Sequence, residues 1–182
     1  MAAARRLEAF LAAKPTPIYI GFGSMPERDA ARMTRLILEA LRLSGQRCIL
    51  LSGWAGLGSA SLPDTVFHVE SIPHAWLFKR VAAVVHHGGA GTSHAASRAG
   101  CPSIVVEHVT DQAFWGGVLH RAGIAPPMLH RRTVTAAKLA RAIRATLGSP
   151  SMREKARAIG ESMRNEDGVK RAVTLIEAQR WD

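Results

Sequence analysis

The 182-residue chain predicts an α/β fold: one parallel sheet of about six strands with helices on both faces. Three observations carry that expectation. Short apolar, β-branched runs alternate with longer amphipathic segments along the whole chain, the pattern of strands buried on both faces between covering helices. Glycines and prolines punctuate nearly every change from one pattern to the other. The chain is long enough to bury roughly 70% of its unfolded surface in one core, so a single domain over 1–182 is expected, with 1–14 as a linker helix and 151–182 as C-terminal helices.

In chain order, Leu7, Phe10 and Leu11 stand at i, i+3 and i+4, which predicts a short lead-in helix ended by Pro15-Thr16-Pro17. Ile18 to Phe22 reads as the first strand. Ser24 followed by Glu27 has capping-box spacing with Pro26 in the first turn, so a helix is expected from there to Ser44-Gly45. Arg28, Arg32, Arg35 and Arg42 share a solvated face of that helix, with Arg35 and Glu39 as an i,i+4 pair. Further strands are expected at Arg47–Leu51, Val66–Val69, Val81–Val85 and Ser103–Val106. A sixth near Ile124–Leu129 is weakened by Pro126-Pro127. His74 to Phe78 predicts one helical turn with core packing, and a helix is expected from about Asp111 to Ala122. Thr135 caps another over Ala136–Leu147 with Gly148 as its stop, and Ser151 onward reads as helical again.

The stretch richest in chemistry is His86-His87-Gly88-Gly89-Ala90-Gly91-Thr92-Ser93, between the apolar run Val81–Val85 and an alanine-rich segment. Strand, glycine loop and helix start in that order make an anion cradle: backbone N–H groups approach the ligand unobstructed and the helix dipole favours negative charge. The histidine pair His86-His87 and the Thr-Ser pair add side-chain donors suited to phosphate oxygens. Ser24 follows the first predicted strand, Ser71 to His74 the third and Asp111-Gln112 the fifth. In a parallel sheet, strand C-terminal ends share one edge, so four separate segments converge on one site for a phosphorylated ligand.

Other classes fit less well. The third glycine of a dinucleotide fingerprint is replaced by Pro26, and no acidic residue ends the second strand. There is no G-x-x-x-x-G-K-[ST] and no G-x-S-x-G. The histidines match no zinc spacing, so no metal is expected, and no cofactor is expected besides the ligand itself. With 24 Lys+Arg against 14 Asp+Glu the net charge is +10, yet no run of five like charges occurs and aromatics make up only 5%. A nucleic-acid platform is therefore not expected, while peripheral contact with an anionic membrane stays open. Apolar runs all fall short of the roughly 18 residues a membrane span needs, no signal-peptide pattern opens the chain, and Cys48 and Cys101 read as buried free thiols. A cytoplasmic protein is expected.

Four motifs in order, Gly21-Phe22-Gly23-Ser24-Met25-Pro26, Ile72-Pro73-His74-Ala75-Trp76-Leu77-Phe78, His86-His87-Gly88-Gly89-Ala90-Gly91-Thr92 and Asp111-Gln112, resemble the C-terminal domain of GT-B glycosyltransferases. The likeness spans about Leu7 to Leu147 and is nearest to sterol glucosyltransferases and the glycosyltransferases of antibiotic biosynthesis. The resemblance implies a Rossmann-like half of a GT-B fold that binds the nucleotide-sugar, with the acceptor held by an N-terminal domain or separate subunit. It implies that His87, Gly89, Ala90, Gly91 and Thr92 meet the pyrophosphate, with Ser24 approaching from the first loop. Asp111 and Gln112 would meet hydroxyls of the transferred sugar, and Ser71, Ile72 and His74 the base and ribose. Ser71 stands where relatives often carry a stacking aromatic, and Ala95 lies near the ribose-binding glutamate of plant relatives, so the choice between UDP- and dTDP-sugar stays open. Inverting transfer of a hexose, with glucose first, is implied without an essential metal. The base is expected on the other domain, so none is nominated here. The alternative is a non-catalytic nucleotide-sugar module or a subunit of a split transferase.

Overall fold

A computed structural model describes residues 2–23, 25, 29–53, 57 and 62–178. Six strands form one parallel sheet: β1 (Ile18–Ile20), β2 (Cys48–Leu51), β3 (Val66–Val69), β4 (Val84–His86), β5 (Ser103–Glu107) and β6 (Leu129–His130), in the order β3-β2-β1-β4-β5-β6. The order reverses between β1 and β4. Such a switch point opens a crevice at the strand C-terminal ends.

Alternation along the strands assigns the helices. Ile18, Ile20, Cys48, Leu50, Val85 and Ile104 turn to the face covered by α2 (Ala30–Ser44) and α6 (Ala136–Leu147). Tyr19, Ile49, Leu51 and Val84 turn to the other face, under α1 (Ala2–Ala12), α3 (His74–Leu77) and α4 (Ala90–Ala99). Val105 packs with Leu119 of α5 (Thr110–Arg121) and Ala156 of α7 (Pro150–Asn165), and α8 (Gly168–Ala178) follows with its residues exposed. Helices on both faces of a parallel sheet are what the sequence pattern predicts.

The lead-in helix is pinned through Arg47, whose guanidinium donates to the Ala13 and Phe10 carbonyls at 2.7 Å each and sits 3.9 Å over the Phe10 ring. Both cysteines are free and buried, and burial pushes the Cys101 thiol up to about 12. Thr135 caps α6 as expected, its hydroxyl accepting from Lys138 N at 3.2 Å. Thr135→Ala should therefore cost about 1 kcal/mol, measured as a lower urea midpoint with unchanged slope.

Several details differ from expectation: β6 is Leu129–His130 and shares only Leu129 with the expected Ile124–Leu129 strand, since Pro126-Pro127 break that run. Ser24, Pro26 and Glu27 of the expected capping box lie outside the described residues. Within them α2 starts at Ala30, capped by Asp29, whose carboxylate accepts from Arg32 N at 2.8 Å. Glu39 pairs with Arg42 rather than Arg35, because one turn on, the planar guanidinium reaches both carboxylate oxygens at 2.8 Å. β4 begins at Val84 instead of Val81 and runs on through His86, which places both histidines at the strand's end. Among the described residues no helix is long and apolar enough to cross a membrane.

Candidate functional site

β4 delivers His86 and His87 to the switch point, and α4 starts three residues later. Gly88 makes the bend with φ 92, a left-handed conformation that disfavours side chains, and there is no room for one: a Cβ would lie 2.9 Å from Val105 Cγ1 and 3.0 Å from the Gln112 carbonyl oxygen. The loop is thus wedged against β5 and α5. Gly89 is the N-cap of α4 and provides no capping side chain, so the first-turn N–H groups of Ala90, Gly91 and Thr92 are left for a ligand.

The His87 ring lies between two loops. A Cβ on Gly23 would come 2.9 Å from its Cε1, and one on Gly89 would come 2.3 Å from its Nε2. Both neighbours must be glycine for the ring to occupy this slot. His87 is 9% exposed, and its Nδ1 is buried with no hydrogen-bond partner among the described residues. Burial first, then the neighbouring His108, hold its pKa below the usual histidine value, against the opposite pull of Asp111. At neutral pH the ring is uncharged. An anion arriving beside it would favour proton uptake.

His86 points to the other side of the sheet, as alternation requires. It is fully buried, and its Nδ1 accepts the Gly88 N–H at 3.1 Å. Burial, with smaller contributions from His87 and His74, pushes its pKa down to about 3, so the ring stays neutral. His86 is therefore not the phosphate donor that the histidine pair suggests: the strand's period of two separates the pair into one ring facing the sheet's edge and one facing the core.

His74 opens α3 with its ring stacked on Phe78 at 4.6 Å, and its Nε2 lies 3.2 Å from the buried Tyr19 hydroxyl. Burial lowers its pKa as well. Ser71 is exposed, and Ile72 packs on the α3–α4 side of the core. At the next strand end Asp111 is exposed in the first turn of α5 and near enough to His87 to influence its charge. Gln112 is 3% exposed, and its Oε1 accepts from His108 N at 2.8 Å and Val109 N at 3.2 Å. That oxygen serves the loop, which leaves the amide NH₂ as the group with donors to spare. His108 packs its ring on Phe22 at 4.9 Å and engages the Val106 carbonyl through Nδ1 at 2.8 Å.

The fold therefore brings His87, Gly89 to Thr92, Asp111 and Gln112 to the carboxyl ends of β4 and β5, with His74 near His87. Ser24 lies outside the described residues, though its neighbour Gly23 touches His87. Among the described residues no group of three His, Cys, Asp or Glu side chains is placed to hold a metal ion. Such an arrangement binds an anion through backbone N–H groups, a helix dipole and one titratable ring.

Known proteins carry the same organisation. Residues 35–177 match the family described as "Erythromycin biosynthesis protein CIII-like, C-terminal domain". A sterol 3-beta-glucosyltransferase of Arabidopsis thaliana is 42% identical over 168 residues, covering 92% of this chain and 26% of its own length. One from Eremothecium gossypii is 37% identical over 187 residues, covering 98% of this chain and 14% of its own. The chain thus spans a minor part of these relatives. A solved structure titled as the glycotransferase of kitacinnamycin superposes with a TM-score of 0.78 at 21% identity, over 91% of this chain and 44% of that one, which bears on fold alone. The six-stranded sheet, the glycine loop at its switch point and the family match all agree, and the chain belongs to the erythromycin biosynthesis protein CIII-like C-terminal domain family, the C-terminal domain of GT-B glycosyltransferases.

Proposed function

We propose that this chain holds the nucleotide-sugar donor, a UDP- or dTDP-hexose and in the first place glucose, for inverting transfer to an acceptor hydroxyl supplied by another domain or subunit. The observation that carries this reading is the His87 ring seated between Gly23 and Gly89 at the uncapped start of α4. A diphosphate laid across that start would accept from the amides of Ala90 to Thr92 and from the Thr92 hydroxyl, with His87 donating alongside. As the donor's sugar–oxygen bond breaks, negative charge grows on the diphosphate, and donors already fixed in place stabilise it. Asp111 and the Gln112 amide stand one strand over, where hydroxyls of the sugar would lie. His74 and the Ser71–Ile72 segment stand on the opposite side, toward the base and ribose. The names of the sterol glucosyltransferase relatives support glucose.

Calorimetric titration with UDP, dTDP and their glucose conjugates tests the reading, and no heat from any of them at millimolar concentration would reject it. His87→Ala should weaken UDP-glucose about tenfold to hundredfold, as expected for a lost hydrogen bond to a charged group. Affinity for UDP-glucose should also rise as pH falls below the usual histidine range, because the bound dianion raises a pKa that burial has lowered. That rise should vanish in His87→Ala.

A further inference from the structure

His86 is a buried titratable group with no part in holding the donor. β4 is otherwise Val84-Val85, and a third aliphatic residue would suit a fully buried slot better than His86. The histidine carries a cost, because its Nε2 is buried with no hydrogen-bond partner among the described residues. A polar group kept in a core at such a cost points to a gain elsewhere on the same ring. The gain lies at Nδ1.

We propose that His86 is a positioning residue of the anion loop: by accepting the Gly88 N–H, its Nδ1 fixes the turn that aims the His87 ring and the first amides of α4 at the diphosphate. The inference rests on the donor-site reading for its ligand but not for its geometry. The 3.1 Å bond spans two residues, so the imidazole does what an Asn side chain does in an Asx turn, closing a backbone bend from one side. Val105 and Gln112 close the same bend from the other side. Between them Gly88 is held at φ 92, and its two flanking residues are thrown to the crevice. His86 itself has no exposed surface and touches no ligand. A neutral ring is required, since only an unprotonated Nδ1 accepts, and full burial keeps it so.

Isosteric substitution separates the two nitrogens. In His86→Asn the side-chain oxygen replaces Nδ1; in His86→Gln it falls at the Nε2 end; His86→Leu has neither. UDP-glucose affinity should stay within about threefold of wild type for Asn and fall about tenfold for Gln and Leu, the effect of one buried hydrogen bond lost from the loop. Without ligand, the Gly88 amide should exchange slowly with solvent in wild type and Asn and fast in Gln and Leu. Nitrogen-15 spectra of wild type should find the His86 proton on Nε2. A proton on Nδ1, Gln binding as well as Asn, or a protected Gly88 amide in Leu would each overturn the proposal. If wild type binds no nucleotide, the donor reading fails while exchange and tautomer still decide the role of His86. If the variants unfold, as circular dichroism would reveal, the wild-type tautomer decides it.

Discussion

Gly89→Ala is expected to abolish diphosphate binding, lowering affinity by about a hundredfold or more, while the chain stays folded. The added Cβ would sit 2.3 Å from His87 Nε2 and 3.1 Å from its Cδ2, and the facing Gly23 leaves the ring no retreat, since even a Cβ there would come within 2.9 Å. His87 must leave the slot and the loop must shift with it. Losing the histidine's charge-assisted bond and misaligning one amide together amount to about 3 kcal/mol, which is the hundredfold. Stability should change little, because Gly89 has φ −64 and ψ 145, a conformation open to alanine. Calorimetry with UDP-glucose beside a thermal melt checks both halves. Binding within threefold of wild type would mean that the ring does not occupy this position.

Gly160→Ala should have the largest effect on stability, about 2–4 kcal/mol of destabilisation, although alanine is the better helix former by about 1 kcal/mol. Gly160 lies inside α7 where it crosses the end of α4, and a Cβ there would be 2.6 Å from Gly100 N, 2.7 Å from Gly100 Cα and 2.9 Å from the Ser97 carbonyl oxygen. All three are backbone atoms, so no rotamer change relieves the contact. Gly100 is itself the left-handed cap of α4 at φ 72, and Arg164 Nη1 donates to the Arg98 carbonyl at 2.9 Å across the same crossing. Repulsion outweighs propensity, and the melting temperature should drop by roughly 5–10 °C. A rise instead would show that the two helices do not approach this closely.

Much of this architecture was legible in the residues. Five apolar runs between glycine and proline breaks locate five strands, the sixth falling at Leu129–His130 beyond its expected run, and the place of Ser71–His74, His86–Thr92 and Asp111–Gln112 after strands is enough to gather them at one edge. What escaped is what depends on neighbours distant in sequence. No local pattern reveals that Gly23 and Gly89 face each other across the His87 ring, or that Tyr19 reaches His74 from a separate strand. The capping role of the Gln112 Oε1 is invisible until the chain bends back on His108 and Val109. The Arg35–Glu39 pair was misjudged because helical spacing offered two arginine partners, and only side-chain geometry chooses Arg42.

The wedge that holds Gly88 against Val105 and Gln112 divides the proposed site by how much substitution its parts would tolerate. On the proposed reading the diphosphate, common to every nucleotide-sugar, would fall to main-chain groups and to Gly88 and Gly89, where a side chain would clash. Base and sugar, which differ between donors, would on the same reading fall to side chains, of which Ser71 and Asp111 are exposed at the margins of the sheet. A chain built this way could be retuned to a new donor by exchanging a few peripheral residues while the glycine loop is left unchanged.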